Sequence, residues 1–509
     1  MPDCFVAVDA GTTRLKSIAV DPGGTELARA SRPSPHSHPH PGWVEQDRTA
    51  TWERTAATVR EVVDALDDAH DVVAVGVTGQ GAGCWLLDDD GDPVRNAILW
   101  SDGRAADLVR EWRDTDVYDE TFDDMGYGLF SGLPLAIYRW LAAHEPETLD
   151  ATETAFFCKD WIRYRLTGTR ATDPTDASLA HYRPDERTFS RAVADRLGVA
   201  SVADAVPDPV SPTAVAGHVT AEAAATTGLA AGVPVVTGVM DVAASAFGSG
   251  VVRPGGASSI VGTTLQSQVL LDSPRFDPPR TGYTLALGVD GMGLRAMGAM
   301  TGTPNIDWAV ETLADGADFE RVEREARSTP VGAAGVMYHP YLSGAGEKAP
   351  FVHPGARAQF TGLTPDHTRA HLLRAVYEGV ALAMRDCYES LPRTVETVRL
   401  SGGGSGSSFW CGLFADCLDA RVVVPAGDEL GARGAALLAG IATGHYDGLA
   451  DAADRTATAD RSYEPDPEAV DRYDRWYEHY RDTREALSPL WTRRERLRAA
   501  MSSSESSEP

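Results

Sequence analysis

Apolar residues run without a break over Phe5–Val8 and again over Ile18–Val20, on either side of the largely polar stretch "DAGTTRLK". Short apolar runs bounded by turn residues predict buried strands, here 4–9 and 15–20, with "DPGG" at 21–24 turning the chain into a third strand, 25–30. A helix is predicted from 48 to 68 and a strand at 72–77, "VVAVGV", before a mixed helical region that runs to about 230. The apolar run "VPVVTGV" then predicts a strand that ends at Met240-Asp241, where a helix of small residues, "VAASAFGSG", begins. Beyond it the opening pattern returns: "ASSIVGTTLQSQVLL", 257–271, carries a second Gly-Thr-Thr. Strands at 334–341, 396–400 and 421–424 then alternate with helices at 366–391, 408–419 and 430–443. Such alternation predicts an α/β protein with helices covering its sheets. The repeated hairpin divides it into 1–247 and 248–490, and the polar low-complexity end, "MSSSESSEP", extends the expectation of disorder over 491–509.

Charge narrows the function. Lys+Arg of 46 against Asp+Glu of 74 gives a net charge of −28, which argues against nucleic-acid partners and an anionic membrane surface. Lysine occurs only at 16, 159 and 348, all other cations being arginine. An acidic, lysine-poor surface fits a halophilic protein, because concentrated salt screens like charges. The six cysteines form no CxxC pair and read as reduced core thiols. With neither a leader pattern nor an apolar run long enough to span a bilayer, the chain reads as soluble and cytoplasmic. His36, His38 and His40 lie in a Pro-rich loop without Cys or carboxylates at ligand spacing, so no metal site is expected there.

Glycine lets backbone N–H groups approach a ligand, and each threonine adds a hydroxyl, so a Gly-Thr-Thr turn suits phosphate oxygens. One such turn alone, Gly11-Thr12-Thr13, reads better as a plain hairpin bend. A second, Gly262-Thr263-Thr264, suggests a polyphosphate bracketed between the halves. Asp9, closing an apolar strand, stands where a divalent cation needs a carboxylate, reached through water because Mg²⁺ retains much of its shell. Lys16 is expected to offset phosphate charge. A strand-terminal acid capping its own turn would explain Asp9 but not Lys16. "SGGGSGSS", 401–408, runs from an apolar strand into a helix, a passage whose backbone can hold a nucleotide. The chain contains no GxGxxG, GxxxxGK[ST] or GxSxG, which disfavours a dinucleotide fold, a P-loop and a serine hydrolase. Asp241, between an apolar strand and a small-residue helix, reads as a helix N-cap or as a base accepting a proton from an attacking alcohol.

These segments together resemble the FGGY-family carbohydrate kinases, which have two actin-like ATPase (ribonuclease H-like) domains around a central catalytic cleft. "DAGTTRLK" (9–16) is similar to that family's first phosphate loop, "VGTTL" (261–265) to its second, and "GVMDVAASAFGSG" (238–250) to its catalytic-base segment. "AQFTGLTPDHTRAHLLRAVYEG" (358–379) resembles its C-terminal signature. The resemblance implies ATP and Mg²⁺ as cofactors, Asp241 as general base, and Asp9 as the metal-holding residue. It places Gly11, Thr12, Thr13, Lys16, Gly262, Thr263 and Thr264 at the phosphates, and Gly402, Gly403, Gly404 and Ser405 at adenosine. In "TGQGAGCWLLDDDGDPVRNAILWSDGRA" (78–105), Gln80, Gly81, Trp100, Asp102 and Arg104 correspond to the acceptor segment.

Gly81-Ala82 replaces the polar pairs of xylulose and glycerol kinases, and "GQGAGCWL", "YHPYLSGAGEKAPF" and "NIDW" look closer to the erythritol and L-xylulose kinase branch. The acceptor implied is a pentulose, pentitol or tetritol. One departure stands in the N-terminal signature, "SGLPLAIYRWL" (131–141), where Ile137 replaces a usual lysine. Homodimers are common in the family. The competing reading is an actin-like ATPase of chaperone or filament type, which would share the phosphate loops but have no acceptor site.

Overall fold

The structure, a computed structural model, describes residues 1–66 and 69–505. Its first sheet has six strands in the order Val215–His218, Pro234–Val236, Asp71–Gly79, Asp3–Ala10, Arg14–Val20, Glu26–Pro33. Asp3–Ala10 pairs antiparallel with Arg14–Val20 and parallel with Asp71–Gly79. Its unbroken apolar run follows from burial on both faces. Cys4, Val6 and Val8 pack with Trp52 and Val59 of the helix Arg48–Ala65, whereas Phe5 and Ala7 face the opposite core.

The second sheet repeats this arrangement. Its seven strands run Tyr283–Ala286, Gly293–Ala299, Leu265–Leu271, Ala257–Val261, Thr397–Ser401, Arg421–Pro425, Ala459–Tyr463. Ala257–Val261 again pairs antiparallel with the strand after its Gly-Thr-Thr turn and parallel with the strand on its other side. Thus 257–271 is a hairpin of two strands, and the strands at 283–286 and 293–299 extend it.

Packing does not respect the sequence halves. The helix Leu430–Ala442 lies against Asp241–Gly248 and against the first sheet, and Ala432, Ala435 and Leu438 share a core with Phe5 and Ala7. Residues after 443 also return to that core, through Leu449 and Ala453.

The chain end differs from expectation. One helix, Pro467–Glu505, takes in residues 491–505 of the segment expected to be disordered; residues 506–509 lie outside the described residues. Tyr473, Tyr477 and Tyr480 recur at helical spacing and are buried against the C-terminal half. Trp491, 3% exposed, packs edge-on to Tyr341 with ring centroids 5.4 Å apart. These anchors supply the apolar burial that the polar composition of the end does not advertise.

The FGGY-like C-terminal signature is also structural. Glu378, on the helix Arg369–Glu389, accepts hydrogen bonds from Arg374 Nε at 2.7 Å, Tyr473 Oη at 2.8 Å and Gly332 N at 3.0 Å.

Candidate active site

Asp9 is the penultimate residue of its strand, in register with Lys16 on one side and Thr78 on the other. Its Oδ1 is buried without a hydrogen-bond partner. Burial raises its carboxyl to about 6, with Lys16 pulling it down and Glu429 pushing it up. Lys16 Nζ lies 2.6 Å from Glu429 Oε2, at the entrance to the helix Leu430–Ala442. At the second residue of that helix, a Cβ at Gly431 would stand 2.8 Å from Asp9 Oδ2, so only glycine lets this helix come so close.

A second carboxylate faces the same place. Asp241 opens the helix Asp241–Gly248, and its Oδ1 accepts the Val242 N–H at 2.8 Å. Burial first, and the charge of Asp9 second, raise its pKa to about 7. Both sheets hold this junction: Thr78 Oγ1 donates to Val239 O at 2.7 Å, and Gln268 Nε2, from the second sheet, donates to Val242 O at 3.1 Å. Tyr283, also from the second sheet, lies within electrostatic reach of Asp241 with Gln266 beside it. Sequence reading missed Gln266, Gln268 and Tyr283. The available signal was two amides, flanking Ser267, in a strand whose other residues are apolar, "LQSQVLL".

The first threonine turn is joined to the segment expected to bind an acceptor. Thr12 Oγ1 donates to Gln80 Oε1 at 3.0 Å and accepts the indole N–H of Trp100 at 2.8 Å. Gln80 is in turn fixed by donating from Nε2 to Gln46 Oε1 at 2.9 Å, while Trp100 is 39% exposed. Gly81 lies against Met240 and Leu179, and a Cβ there would stand 2.4 Å from Met240 Cε, so a larger residue would displace the end of the Met240 side chain. Thr13 is exposed, and Gly11 lies beside Asp9.

Asp102 departs from expectation. It is fully buried, and each of its oxygens already accepts two hydrogen bonds: Oδ1 from Arg104 N at 2.8 Å and Nε at 2.9 Å, Oδ2 from Val44 N at 2.6 Å and Arg104 Nη2 at 3.0 Å. Arg104 also reaches Glu45 at 2.8 Å and sits 4.0 Å over the Trp43 ring. The pair braces the loop behind Trp100, because its partners at 43–45 come from a distant segment and close over it.

The second threonine turn adjoins the glycine-rich loop. Gly262 N donates to Thr264 O at 3.0 Å, and Thr263 is exposed. Parallel to the strand before it runs Thr397–Ser401, which leads into Gly402, Gly403 and Gly404. Gly402 has φ +85° and abuts Val261, where a Cβ would lie 2.6 Å from the carbonyl oxygen. Ser405 Oγ closes the loop by donating to Gly402 O at 2.8 Å. Of the remaining lysines, Lys159 is buried among carboxylates and Lys348 lies 5.6 Å over the Phe130 ring. Among the described residues no three His, Cys, Asp or Glu side chains group as metal ligands, and no helix is long and apolar enough to cross a membrane.

Residues 4–248 match the N-terminal domain, and residues 251–443 the C-terminal domain, of the FGGY family of carbohydrate kinases. The chain belongs to this family. As an FGGY kinase it is similar to the erythritol kinase of Brucella abortus, 33% identical over 96% of this chain and 97% of that one. It is also similar to the L-xylulose/3-keto-L-gulonate kinase of Escherichia coli, 29% identical over 97% and 99%. Among solved structures, a xylulose kinase from Rhodospirillum rubrum superposes with a TM-score of 0.87 at 32% identity, over 96% of this chain and all of that one. The FGGY kinase fold explains why the two sheets share one strand arrangement, and a phosphotransferase of this family requires an acceptor site that a filament or chaperone ATPase lacks.

Proposed function

We propose that this FGGY kinase transfers the γ-phosphoryl group of ATP to a hydroxyl of a tetritol, pentitol or pentulose, with Asp241 as general base. The observation that carries this reading is the coupling of Asp241 to Asp9. A carboxyl held up to about 7 by burial and by a neighbouring carboxylate is matched to proton abstraction near neutral pH. As the acceptor oxygen forms its bond to phosphorus, the bond from phosphorus to the β–γ bridging oxygen breaks. The hydroxyl proton passes to Asp241, and ADP leaves.

Asp9, with a buried, unpartnered oxygen, fits a cation held mainly through water and ATP oxygens. Mg²⁺ bound there would neutralise charge on the transferring phosphoryl group. The donor-lined turns Gly11-Thr12-Thr13 and Gly262-Thr263-Thr264 take phosphate oxygens, Lys16 adds a cation beside them, and Gly402–Gly404 with Ser405 take adenosine. Gln80 and Trp100 hold the acceptor: an amide for hydroxyls, an aromatic face for carbons. Gly81 leaves Met240 as a wall of that pocket. Likeness to erythritol and L-xylulose kinases supports a four- or five-carbon acceptor. We place the enzyme in a salt-rich cytoplasm, where ATP, thiol cysteines and an acidic surface belong together.

The test is a panel of erythritol, xylitol, D-xylulose, L-xylulose, ribulose and glycerol, with ADP release as readout. One or two acceptors are expected to stimulate release well above the rate with ATP alone. Equal release with every compound and with none would reject the acceptor site.

A further inference from the structure

Beneath the junction that carries Asp241 lies a sealed group of five charges that the phosphoryl-transfer reading does not use. Lys159 Nζ is 2.6 Å from Asp160 Oδ1, 2.8 Å from Asp173 Oδ1 and 3.0 Å from Asp176 Oδ2. Arg163 Nη1 adds a contact of 3.0 Å to Asp160. All five side chains are fully buried. Two cations against three carboxylates leave the group one charge short of neutrality. Consistent with that, burial and the neighbouring aspartates push Asp176 well above the usual carboxylate range. Buried ion clusters are poor sources of stability, since desolvation offsets their attraction. Their better-attested use is to fix one arrangement of the groups bonded to them.

What they fix here can be followed bond by bond. Asp173 Oδ2 accepts from Thr175 N at 2.8 Å and from Thr175 Oγ1 at 2.7 Å, so the hydroxyl proton is committed. The free lone pair of Thr175 Oγ1 therefore accepts the N–H of Met240 at 2.9 Å. Met240 is the N-cap position of the Asp241 helix and its own side chain makes no cap. From the other side of the cluster, Arg163 Nη1 donates to Thr237 O at 3.3 Å, and its Nη2 to Ala171 O. With Thr78 on Val239, three of the four residues before Asp241 are held by buried side chains. The short helix Pro174–Ala177 reaches the other wall too, since Ser178 Oγ, just after it, accepts the N–H of Ala286 at 3.0 Å at the end of the Tyr283 strand.

We infer that Lys159, Asp173 and Thr175 form a positioning network that sets the place of Asp241, with Thr175 as the link that touches the Asp241 junction. This inference rests on Asp241 being the base. A merely structural cluster would affect folding and every kinetic constant alike, whereas a positioning link acts on turnover and is restored by any side chain that keeps the hydroxyl.

The test compares Thr175→Val with Thr175→Ser in the full-length enzyme, using the acceptor identified by the panel. In Thr175→Val, kcat is expected to fall roughly 10–100-fold while the KM for ATP changes less than about twofold. Thr175→Ser is expected to recover kcat to within about threefold of the wild type. If Thr175→Val does not accumulate folded, Thr175→Ala puts the same question to the hydroxyl. Wild-type kcat without the hydroxyl, or a serine variant as impaired as the valine one, would overturn the inference. Asp241→Asn measured alongside separates the two claims: full turnover there refutes the base itself, whereas a dead Asp241→Asn beside an unaffected Thr175→Val refutes only the network.

Discussion

Asp241 makes a prediction that sets activity against stability. Replacing it with asparagine is expected to lower turnover by roughly 10²–10⁴-fold with ATP binding retained, as for loss of a general base. The same substitution is expected to stabilise the fold. The carboxyl rises from 3.8 to about 7 on folding, so the folded state holds its proton more tightly, and the cost of ionising it is absent below pH 3.8 and complete above about 7. Asparagine removes that cost, by about 1–3 kcal/mol after allowance for the partial exposure of the group. A thermal melt at pH 8 checks this, and a lowered midpoint would contradict it. The same shift fixes the acid side of the pH profile: kcat/KM is expected to fall about tenfold per unit below pH 7, and a flat profile down to pH 5 would exclude Asp241 as the titrating base. The places of Asp9, Thr12 and Asp241 were legible, because an apolar strand, a Gly-Thr-Thr turn and a small-residue helix each mark themselves in the sequence. Asp102 was not, because the atoms that occupy it belong to Val44 and Arg104, and a strand-and-turn pattern does not report which distant backbone will close over a side chain.

Helices and strands were legible where burial is two-sided or where hairpins repeat. The hairpin at 257–271 was legible because its Gly-Thr-Thr turn repeats the one at 11–13 between two apolar runs. The helix Pro467–Glu505 escaped notice because its buried stripe is made of tyrosine and tryptophan among Arg, Asp and Glu, so its mean hydropathy is low although its period is helical. This stripe carries load that can be measured. Tyr480, fully buried, accepts or donates a hydrogen bond to Tyr341 Oη at 3.0 Å and stacks on His339 at 4.4 Å. Tyr480→Ala is expected to destabilise the C-terminal half by about 3–5 kcal/mol in denaturant unfolding. A loss under about 1 kcal/mol would mean that the helix is not packed as described.

The whole molecule joins its halves through helices rather than a linker. Leu430–Ala442 completes the core of the first sheet while the residue before it, Glu429, pairs with Lys16, so residues late in the chain bear directly on Asp9. That crossing is invisible to a reading that divides the chain where its hairpin repeats. Charge acts at the same scale. At −28 the surface repels itself, and a Debye length that shortens from about 10 Å at 0.1 M salt to about 3 Å at 1 M relieves the repulsion. The unfolding midpoint and the activity are both expected to rise from dilute buffer to molar KCl; a protein fully active and equally stable without salt would remove the halophilic reading.

The central claim, a nucleotide-driven transfer to a small polyol deprotonated by Asp241, is tested most directly by acceptor-stimulated ADP release in wild type and Asp241→Asn side by side. The account predicts stimulation by a four- or five-carbon acceptor in the wild type and its loss in the variant, with nucleotide still bound by both. Stimulation that survives in Asp241→Asn, or none by any acceptor in the wild type, would contradict it.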